Sequence, residues 1–381
     1  MTYKRSVVVV GAGVIGLSSA LKLQESEQYN VTVVAEHTPN EIVSGKRPST
    51  DWASPWAAAN WSPWSGNSDP LLQEKELDTY RELTDIVEQT SPDVIGIQRV
   101  HGVFYFENLE DKTQGQQKQR PWYADAVSGF HDIPAESLPN GVSYGIEYST
   151  FTFNVPKYLV YLINRLTALG VRIVERRINN IGEAVEYGNN LGNNVQDINT
   201  TDNVIVVNCT GLGSLTLGGV TDKNMYPVRG QTIVVRAPGA KRTISRTGKL
   251  LIYVISRGDG TAVIGGTTEE HSWDSQPNNE ITETILRRAL GLEPALVQED
   301  GGNLLEEDKM ADLRSRIISV NVGFRPMREG GVRLEREAVS TEKHRNLQVV
   351  HCYGRGGFGY QSSLAYAKAV VDLVDDAIQK Q

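Results

Sequence analysis

Hydrophobic and polar positions near the start of the chain follow the pattern of a strand, a turn, a helix and a second strand. Residues 6–10 end in four consecutive valines, which is typical of a parallel strand buried on both faces. Apolar positions at helical spacing predict a helix over 17–24, and a second apolar run over 31–35 ends at Glu36. With a glycine-rich turn over 11–16, these elements predict one complete βαβ unit.

The rest of the chain alternates between helical and strand periodicity, with short β runs after residue 230 that are typical of antiparallel strands. Further helices are predicted over 71–89, 156–169, 280–290 and 364–378. Further strands are predicted over 98–108, 171–174, 204–208, 230–236, 250–256, 262–266, 320–327, 332–337 and 347–353, and polar loops over 111–120 and 189–203.

These elements predict an α/β fold with two domains. The first, middle and last parts of the chain supply the strands of a discontinuous Rossmann-type dinucleotide domain, over 1–55, 155–222 and 320–381. The intervening blocks, 56–154 and 223–319, predict an α+β substrate domain with a mixed or antiparallel sheet. A substrate would then bind at the interface between the two domains.

Composition excludes several classes of function for these 381 residues. The net charge is −8 and no basic run occurs, so nucleic acid is not expected as a partner. The longest apolar stretch, 7–17, is too short to cross a bilayer, so no membrane span is expected. The cysteines, Cys209 and Cys352, and the scattered histidines predict neither a disulfide framework nor a metal site. The oligomeric state, including a homo-oligomer, stays open.

The glycine turn has the full context of a dinucleotide fingerprint. GxGxxG follows a strand and opens a helix, and an acidic residue comes 20 residues after the last glycine. The glycines allow a tight turn, close approach of a pyrophosphate to the N–H groups at the helix start, and packing of helix on strand, while the acid accepts hydrogen bonds from a ribose. The predicted cofactor residues here are Gly11, Gly13, Val14, Ile15, Gly16 and Glu36.

A second glycine turn distinguishes between cofactors that share this fingerprint. Residues 354–361 lie between the last strand and the last helix, so a second helix start faces a ligand. A long flavin dinucleotide would use both turns, whereas a nicotinamide enzyme has less need of the second. FAD is therefore the expected cofactor, and an NAD-dependent dehydrogenase is the alternative.

Several motifs together make the chain similar to the FAD-dependent D-amino-acid oxidase family, which includes the D-aspartate oxidases, and most similar to its fungal members. They occur in the family's order between residue 6 and about residue 375. The motifs are 9–17 (VVGAGVIGL), 53–56 (ASPW), 60–61 (NW), 228–231 (VRGQ), 323–326 (GFRP), 332–335 (VRLE) and 353–361 (YGRGGFGYQ).

The resemblance implies a reaction. The α-hydrogen of a D-amino acid would leave as hydride to flavin N5, and water would hydrolyse the imino acid to a 2-oxo acid and ammonia. Dioxygen would reoxidise the flavin and give hydrogen peroxide. A glycine- or sarcosine-type oxidase and a flavin-binding protein without catalysis remain as alternatives with the same fold.

The chemistry also needs a fixed cation for the substrate carboxylate. Arg325 fits, because a guanidinium can bind a carboxylate through two parallel hydrogen bonds, and it matches the family's carboxylate-binding arginine. Tyr253 matches the active-site tyrosine, whose hydroxyl also meets the carboxylate. The carbonyl of Gly357 matches the acceptor for the substrate amino group, and Gln361 matches a nearby polar position. These four residues are the predicted catalytic group.

The same resemblance implies further binding residues. Asn60 and Ser62 match the loop that lines the side-chain pocket, whereas loop packing is favoured for Trp61 and Trp64. The further cofactor residues it implies are Ala58, Thr210, Gly211, Gly356, Gly357, Phe358, Gly359, Tyr360 and Gln361.

One arginine bears on which D-amino acid would be bound. Counted back from Tyr253, Arg246 matches the arginine by which D-aspartate oxidases bind the side-chain carboxylate. Counted from Pro238 instead, Ser245 takes that position, and Arg246 would be a solvated residue of a basic turn. Acidic D-amino acids are expected slightly ahead of neutral ones, because a charged partner strongly favours an acidic side chain.

The family is usually peroxisomal and usually ends in a targeting tripeptide. This chain ends in Gln379, Lys380 and Gln381, which do not form that signal. The expected location is therefore the peroxisome by resemblance, and the cytosol otherwise.

Overall fold

A computed structural model describes residues 4–66, 69–107, 120–188, 204–249, 251–297 and 305–379. The predicted loop over 189–203, and that over 111–120 except for Arg120, lie outside these residues, as do Lys380 and Gln381. Within the described ranges, every helix is too short or too polar to cross a membrane.

Strands and helices alternate through the first half of the chain, and strands dominate the second half. The strands are β1 (Arg5–Val10), β2 (Tyr29–Ala35), β3 (Ile97–Glu107), β4 (His131–Asp132), β5 (Val142–Phe153), β6 (Arg172–Glu175), β7 (Val204–Asn208), β8 (Met225–Arg236), β9 (Thr243–Thr247), β10 (Ile252–Ser256), β11 (Thr261–Gly265), β12 (Glu269–Glu270), β13 (Ile317–Arg328), β14 (Arg333–Val339) and β15 (Leu347–Tyr353). The helices are α1 (Val14–Glu25), α2 (Asn40–Val43), α3 (Pro70–Gln89), α4 (Pro92–Ile95), α5 (Val155–Ala168), α6 (Val185–Gly188), α7 (Asn279–Leu292), α8 (Glu306–Ser315) and α9 (Ser363–Gln379).

The first sheet has the order β14-β15-β7-β1-β2-β6 and is parallel except for β14. The valines of β1 alternate between two cores. Val7 and Val9 pack in one core with Leu17 of α1, while Val8 and Val10 pack in another on the opposite face. Burial on both faces explains why this strand is a continuous apolar run. The predicted α/β class with a discontinuous Rossmann-type sheet is confirmed.

The second sheet has the order β12-β8-β11-β10-β9-β3-β5-β4. Strand β13 pairs with β8 along the edge opposite to β11 and β12. Its strands are antiparallel except for the β3–β9 pair. Helix α7 covers one face through Ile285 and Leu286, which pack on Ile244, Ile252 and Val254. The opposite face of β8 to β11 is therefore free to line a cavity.

The two sheets are joined through β13. This strand pairs with β8 along its whole length, so the predicted domain boundary at residue 320 falls inside a strand of the second sheet. Its far end contacts the first sheet: the Gly356 N–H donates to the Pro326 carbonyl at 2.8 Å, and Met327 pairs with Arg355. The glycine turn after β15 is thus held directly against a strand of the other sheet.

Predicted and observed elements agree closely where the pattern was periodic. Strands β5 and β9 and helix α8 were not predicted. Strand β9 has no clear strand pattern, because it carries polar residues on both faces: Thr243, Ser245, Arg246 and Thr247 surround its one buried aliphatic residue, Ile244.

A buried histidine links the first sheet to the cavity. His351 of β15 accepts a hydrogen bond from Asn208 Nδ2 at Nδ1 (3.2 Å) and donates from Nε2 to the Glu337 carboxylate (3.1 Å), so the neutral ring satisfies both partners. Asn208 Oδ1 accepts from the Thr210 hydroxyl at 2.8 Å. Burial, together with the charge of Arg333, lowers the pKa of His351 to about 4.

This pKa predicts a loss of stability in acid. The unfolded chain binds a proton at His351 near pH 6.5, whereas the folded chain binds it near pH 4, so stability falls as the pH drops through that window. Between pH 7 and pH 4.5, His351 should account for on the order of 3 kcal/mol of the fall in the free energy of unfolding. Urea unfolding of the wild type and of His351→Asn at pH 7 and at pH 4.5 measures this fall in the free energy of unfolding.

The variant should show a shallower dependence on pH, whereas His131→Gln, at an exposed position, should follow the wild type. Equal pH dependence in the wild type and His351→Asn would contradict the assignment.

Candidate active site

In the first glycine turn, the glycines stand at positions where a side chain would not fit. Gly11 has a φ of +108°, and a Cβ there would lie 2.5 Å from the Cys209 carbonyl oxygen. A Cβ on Gly16 would lie 2.0 Å from the Gly11 carbonyl oxygen. Gly13 caps α1, so the first N–H groups of the helix face the space in front of the turn. The turn therefore offers backbone donors to a ligand at very close range.

Ser54 closes this turn, although the sequence predicts no role for it. The Ser54 hydroxyl accepts from the Val14 N–H at 3.0 Å, and the Ser54 carbonyl accepts from the Tyr360 hydroxyl at 3.0 Å. Ser54 thus connects the first glycine turn to the second. Its position within the ASPW motif was the available signal, but only the structure shows these partners.

One continuous cavity of about 910 Å³ extends between the two glycine turns. That volume is at the upper end of the range for small-molecule sites, roughly 300–1,000 Å³. At one end lies Glu36, which is exposed and pairs with Arg177 at 3.3 Å. Every predicted cofactor residue lines this cavity except Gly16, which packs behind the turn: Gly11, Gly13, Val14, Ile15, Glu36, Ala58, Thr210, Gly211, Gly356, Gly357, Phe358, Gly359, Tyr360 and Gln361.

Arg325 lies at the other end of the cavity, on β13. Its Nη1 donates to the Thr267 carbonyl at 2.9 Å and to the Arg229 carbonyl at 3.4 Å. The guanidinium lies directly over Gly230, where a Cβ would come within 2.4 Å of Nη1. No carboxylate of the described residues forms an ion pair with Arg325. The remaining donors of the guanidinium are therefore available to an anion in the cavity.

Tyr253 lies beside Arg325 on the cavity face of β10. In register it is opposite Ser245 of β9 and Gly265 of β11, so all three positions share this face. A Cβ on Gly265 or Gly266 would lie within 2.8 Å of the Tyr253 hydroxyl, so the glycines give the ring its place. Burial raises the pKa of Tyr253, and the Arg325 charge opposes part of that rise. The hydroxyl stays protonated at neutral pH and can donate to an anion next to Arg325.

The second glycine turn brings Gly357 and Gln361 to the same end. A Cβ on Gly357 would lie 3.1 Å from Arg325 Cδ. Gln361 lines the cavity, but its Nε2 donates to Glu76 at 3.0 Å, a contact that the sequence gave no reason to expect. Tyr253, Arg325 and Gly357 are therefore brought together, and Gln361, four residues beyond Gly357, lines the same cavity.

The loop before α3 forms a further wall. Asn60 and Ser62 line the cavity as predicted, and Trp61 is fully buried in the core. Trp64, for which loop packing was favoured, instead lines the cavity and stacks on Phe358 with ring centroids 4.4 Å apart. This contact joins the loop to the second glycine turn at the rim.

Arg246 does not line the cavity, which corrects its predicted place in the substrate site. In register it is opposite Ile252, whose side chain lies in the core beneath α7, so Arg246 is on the face turned away from Tyr253. There it donates to Glu107 at 2.7 Å and to the Asn140 carbonyl at 3.0 Å. The Arg246 guanidinium holds the pKa of Glu107 below its usual range.

The neighbouring positions of β9 face the cavity in its place. Thr243, Ser245 and Thr247 all line it, so this wall carries hydroxyl groups and no charge. The alternative count from Pro238, which places Ser245 in the pocket, agrees with this arrangement.

Comparisons with known proteins identify the family. A family model described as FAD dependent oxidoreductase matches residues 6–373. The D-amino-acid oxidase of Fusarium vanettenii is 33% identical over 386 residues, covering 97% of this chain and 96% of that protein. The D-aspartate oxidase of Talaromyces thermophilus is 31% identical over 384 residues, covering 97% and 94%. The crystal structure of glycine oxidase from Geobacillus kaustophilus superposes with a TM-score of 0.67 at 17% identity, over 98% of this chain and 95% of that one.

The chain belongs to the FAD dependent oxidoreductase family, and FAD is its cofactor. The predicted family resemblance and the choice of FAD are thereby confirmed. The residues present fit FAD. In both turns, glycines stand where a Cβ would overlap a neighbouring atom, as at Gly11, Gly16 and Gly356, and one elongated cavity lies between the turns. Glu36 stands at the end of β2 as an acceptor for a ribose. Within the described ranges, no group of three or more His, Cys, Asp or Glu side chains is arranged to hold a metal ion.

The contact between Arg325 and Gly230 predicts the effect of a single methyl group. In Gly230→Ala the new Cβ would overlap the guanidinium and displace it, so a carboxylate ligand such as propionate should bind at least about tenfold more weakly. Titration of the flavin absorption spectrum with propionate measures this dissociation constant. FAD retention should not change, because the substitution is remote from the pyrophosphate turn.

Gly291→Ala serves as the matched control, since a Cβ at that position in α7 meets no atom within 4 Å. Propionate affinity that is equal in Gly230→Ala and the wild type would contradict the placement of Arg325.

Proposed function

We propose that this flavoprotein catalyses the oxidative deamination of a D-amino acid to a 2-oxo acid and ammonia, with reduction of dioxygen to hydrogen peroxide. The observation that carries the proposal is the Arg325 guanidinium, which has no ion-pair partner among the described residues and lies beside the Tyr253 hydroxyl at the end of the FAD cavity. The names of the relatives, D-amino-acid oxidase and D-aspartate oxidase, support the same conclusion.

Arg325 and Tyr253 would bind the α-carboxylate. A guanidinium forms two parallel hydrogen bonds with a carboxylate, which fixes both its position and the plane of the group. The protonated Tyr253 hydroxyl adds a third donor from the adjacent strand. Held in this way, the α carbon has a defined place relative to the second glycine turn, and orientation of this kind is a large part of catalysis.

Gly357 and Gln361 would bind the amino group. The Gly357 carbonyl accepts no hydrogen bond from another described residue, and it lies next to Arg325 Cδ. An amino group needs acceptors, and it must be neutral so that its lone pair can form the C=N bond. A carbonyl acceptor serves the neutral amine without the strong preference for an ammonium that a carboxylate would have.

When bound, FAD supplies the acceptor for the hydride that leaves the α carbon, and dioxygen then takes up the two electrons. The residues at this end of the cavity need not act as acids or bases on the α-hydrogen, because the electron pair leaves with it. Their work is to hold the carboxylate and the amino group, and to exclude water through the Trp64–Phe358 contact at the rim. The imino acid is then hydrolysed by water.

Neutral D-amino acids are the substrates that the described cavity supports best. The acidic preference depended on Arg246, which is paired with Glu107 on the opposite face of the sheet. The cavity wall near Tyr253 carries hydroxyl groups, and Glu270 adds a carboxylate that would repel an acidic side chain. An acidic side chain would be buried there without a cation of its own.

Anaerobic addition of D-alanine to the purified flavoprotein tests the reaction. The yellow flavin absorption should be lost with D-alanine and kept with L-alanine, and admission of air should restore it with formation of hydrogen peroxide. In Arg325→Met, kcat/KM should fall by roughly 100-fold or more, because the charged partner of the carboxylate is lost. Arg81→Met, at an exposed position of α3, should keep wild-type activity. Bleaching by none of the D-amino acids would refute the proposal.

Substrate preference is tested by placing a positive charge at position 245 of β9, one residue before Arg246. Ser245→Arg places a guanidinium on the cavity face, so the ratio of kcat/KM for D-aspartate to that for D-alanine should rise by about tenfold or more. Arg246→Met should leave the ratio within about threefold of the wild type, because its side chain is outside the cavity. A collapse of D-aspartate activity in Arg246→Met would instead place Arg246 in the substrate site.

A further inference from the structure

A fully buried carboxylate lies directly behind the substrate end of the cavity. Glu76 of α3 is 0% exposed, although it carries an ionisable group. Its Oε1 accepts from the Trp64 N–H (3.1 Å) and from Gln361 Nε2 (3.0 Å), and its Oε2 accepts from the Ser65 N–H (3.2 Å) and hydroxyl (2.6 Å). The two oxygens of this one side chain thus contact both the pocket loop and the second glycine turn.

The chemistry of these partners makes Glu76 a hydrogen-bond acceptor. Two of them, the backbone N–H groups of Trp64 and Ser65, can only donate, and each meets a different carboxyl oxygen. The side chain has four hydrogen-bonding contacts in all, and a carboxylate has acceptor sites for all four. Glu76 is therefore an acceptor on every side.

These contacts decide the orientation of the Gln361 amide. Glu76 Oε1 already accepts from the Trp64 backbone N–H, so the end of the Gln361 amide that complements it is the N–H₂ group. The amide oxygen is then the polar atom left for the cavity that Gln361 lines. Without Glu76 the amide could rotate by half a turn and present N–H₂ to the cavity, since the two ends of an amide have the same shape.

We propose that Glu76 is a positioning residue for substrate binding: it fixes the Gln361 amide so that its oxygen accepts a hydrogen bond from the substrate amino group. The proposal rests on the proposed function, because that function supplies the amino group. Glu76 does not touch the substrate. It acts through Gln361, and it also fixes the backbone at Trp64 and Ser65, which forms the adjacent wall.

A general role in stability predicts a different result from a role in orienting Gln361. Loosening of the pocket would weaken every ligand that binds to Arg325. Misorientation of Gln361 would weaken only ligands that carry an amino group. D-Alanine and propionate differ in that group and share the carboxylate and the short aliphatic chain, so the pair separates the two explanations.

The experiment compares Glu76→Gln with the wild type as purified flavoproteins. The new amide cannot accept from all four donors, so Gln361 is no longer held in one orientation. The value of kcat/KM for D-alanine should fall about tenfold, while the inhibition constant of propionate stays within about twofold. FAD content should be unchanged, and Glu74→Gln, at an exposed position of the same helix, should behave as the wild type in both measurements.

The variant Gln361→Met gives an independent test that does not disturb Glu76. It should show the same difference between D-alanine and propionate, and the double variant should lose no more D-alanine activity than either single variant, because both changes remove one interaction. Equal effects on D-alanine and propionate in Glu76→Gln would overturn the proposal in favour of a general structural role. Additive losses in the double variant, or no loss in Gln361→Met, would also overturn it.

These outcomes are distinct from failure of the proposed function. A wild type that oxidises no D-amino acid refutes the function itself. The positioning role is refuted only if the wild type oxidises D-alanine and the predicted difference between the two ligands is absent.

Discussion

The position of the Arg325 guanidinium is the constraint on which the rest of the site depends. A positive charge inside a cavity is costly unless an anion or well-placed acceptors compensate it. Two backbone carbonyls, of Thr267 and Arg229, hold one edge of the group, and no described carboxylate neutralises it. Gly230 is a glycine because any side chain there would occupy the space of the guanidinium. Under the proposed function, the α-carboxylate of the substrate supplies the missing anion.

The same requirement explains how the two sheets are connected. Arg325 belongs to β13 of the second sheet, whereas both glycine turns follow strands of the first sheet. Under the proposed function, the substrate must contact both Arg325 and FAD. The bond from the Gly356 N–H to the Pro326 carbonyl, one residue beyond Arg325, fixes the distance between them. Rigid placement of a charged group in this way reduces the reorganisation needed during reaction. The contact between the sheets is therefore part of the site as well as part of the fold.

The parts of the site that sequence could predict are those determined by local chemistry. Gly11, Gly13 and Glu36 follow from the local strand–turn–helix pattern, and Arg325 follows from a short motif of the family that the chain resembles. All four line the cavity. Arg246 was misplaced because its strand carries polar side chains on both faces, so no periodicity showed which face it occupies. The contact of Glu76 with Gln361 spans 285 positions and has no local signature. Contacts between residues so far apart in the sequence can be identified only from the folded structure.

The position of Arg246 also shows that core packing determines which side chains of β9 face the substrate cavity. In a strand, a shift of register by one residue exchanges the two faces. Such a shift would bring Arg246 to the cavity, but it would also remove Ile244 from the core beneath α7 and break the ion pair with Glu107. The loss of Ile244 from the core alone costs about 1.5–3 kcal/mol. The uncharged cavity wall is thus maintained by packing on the far side of the sheet, and a change of preference requires a substitution at Ser245 rather than a movement of Arg246.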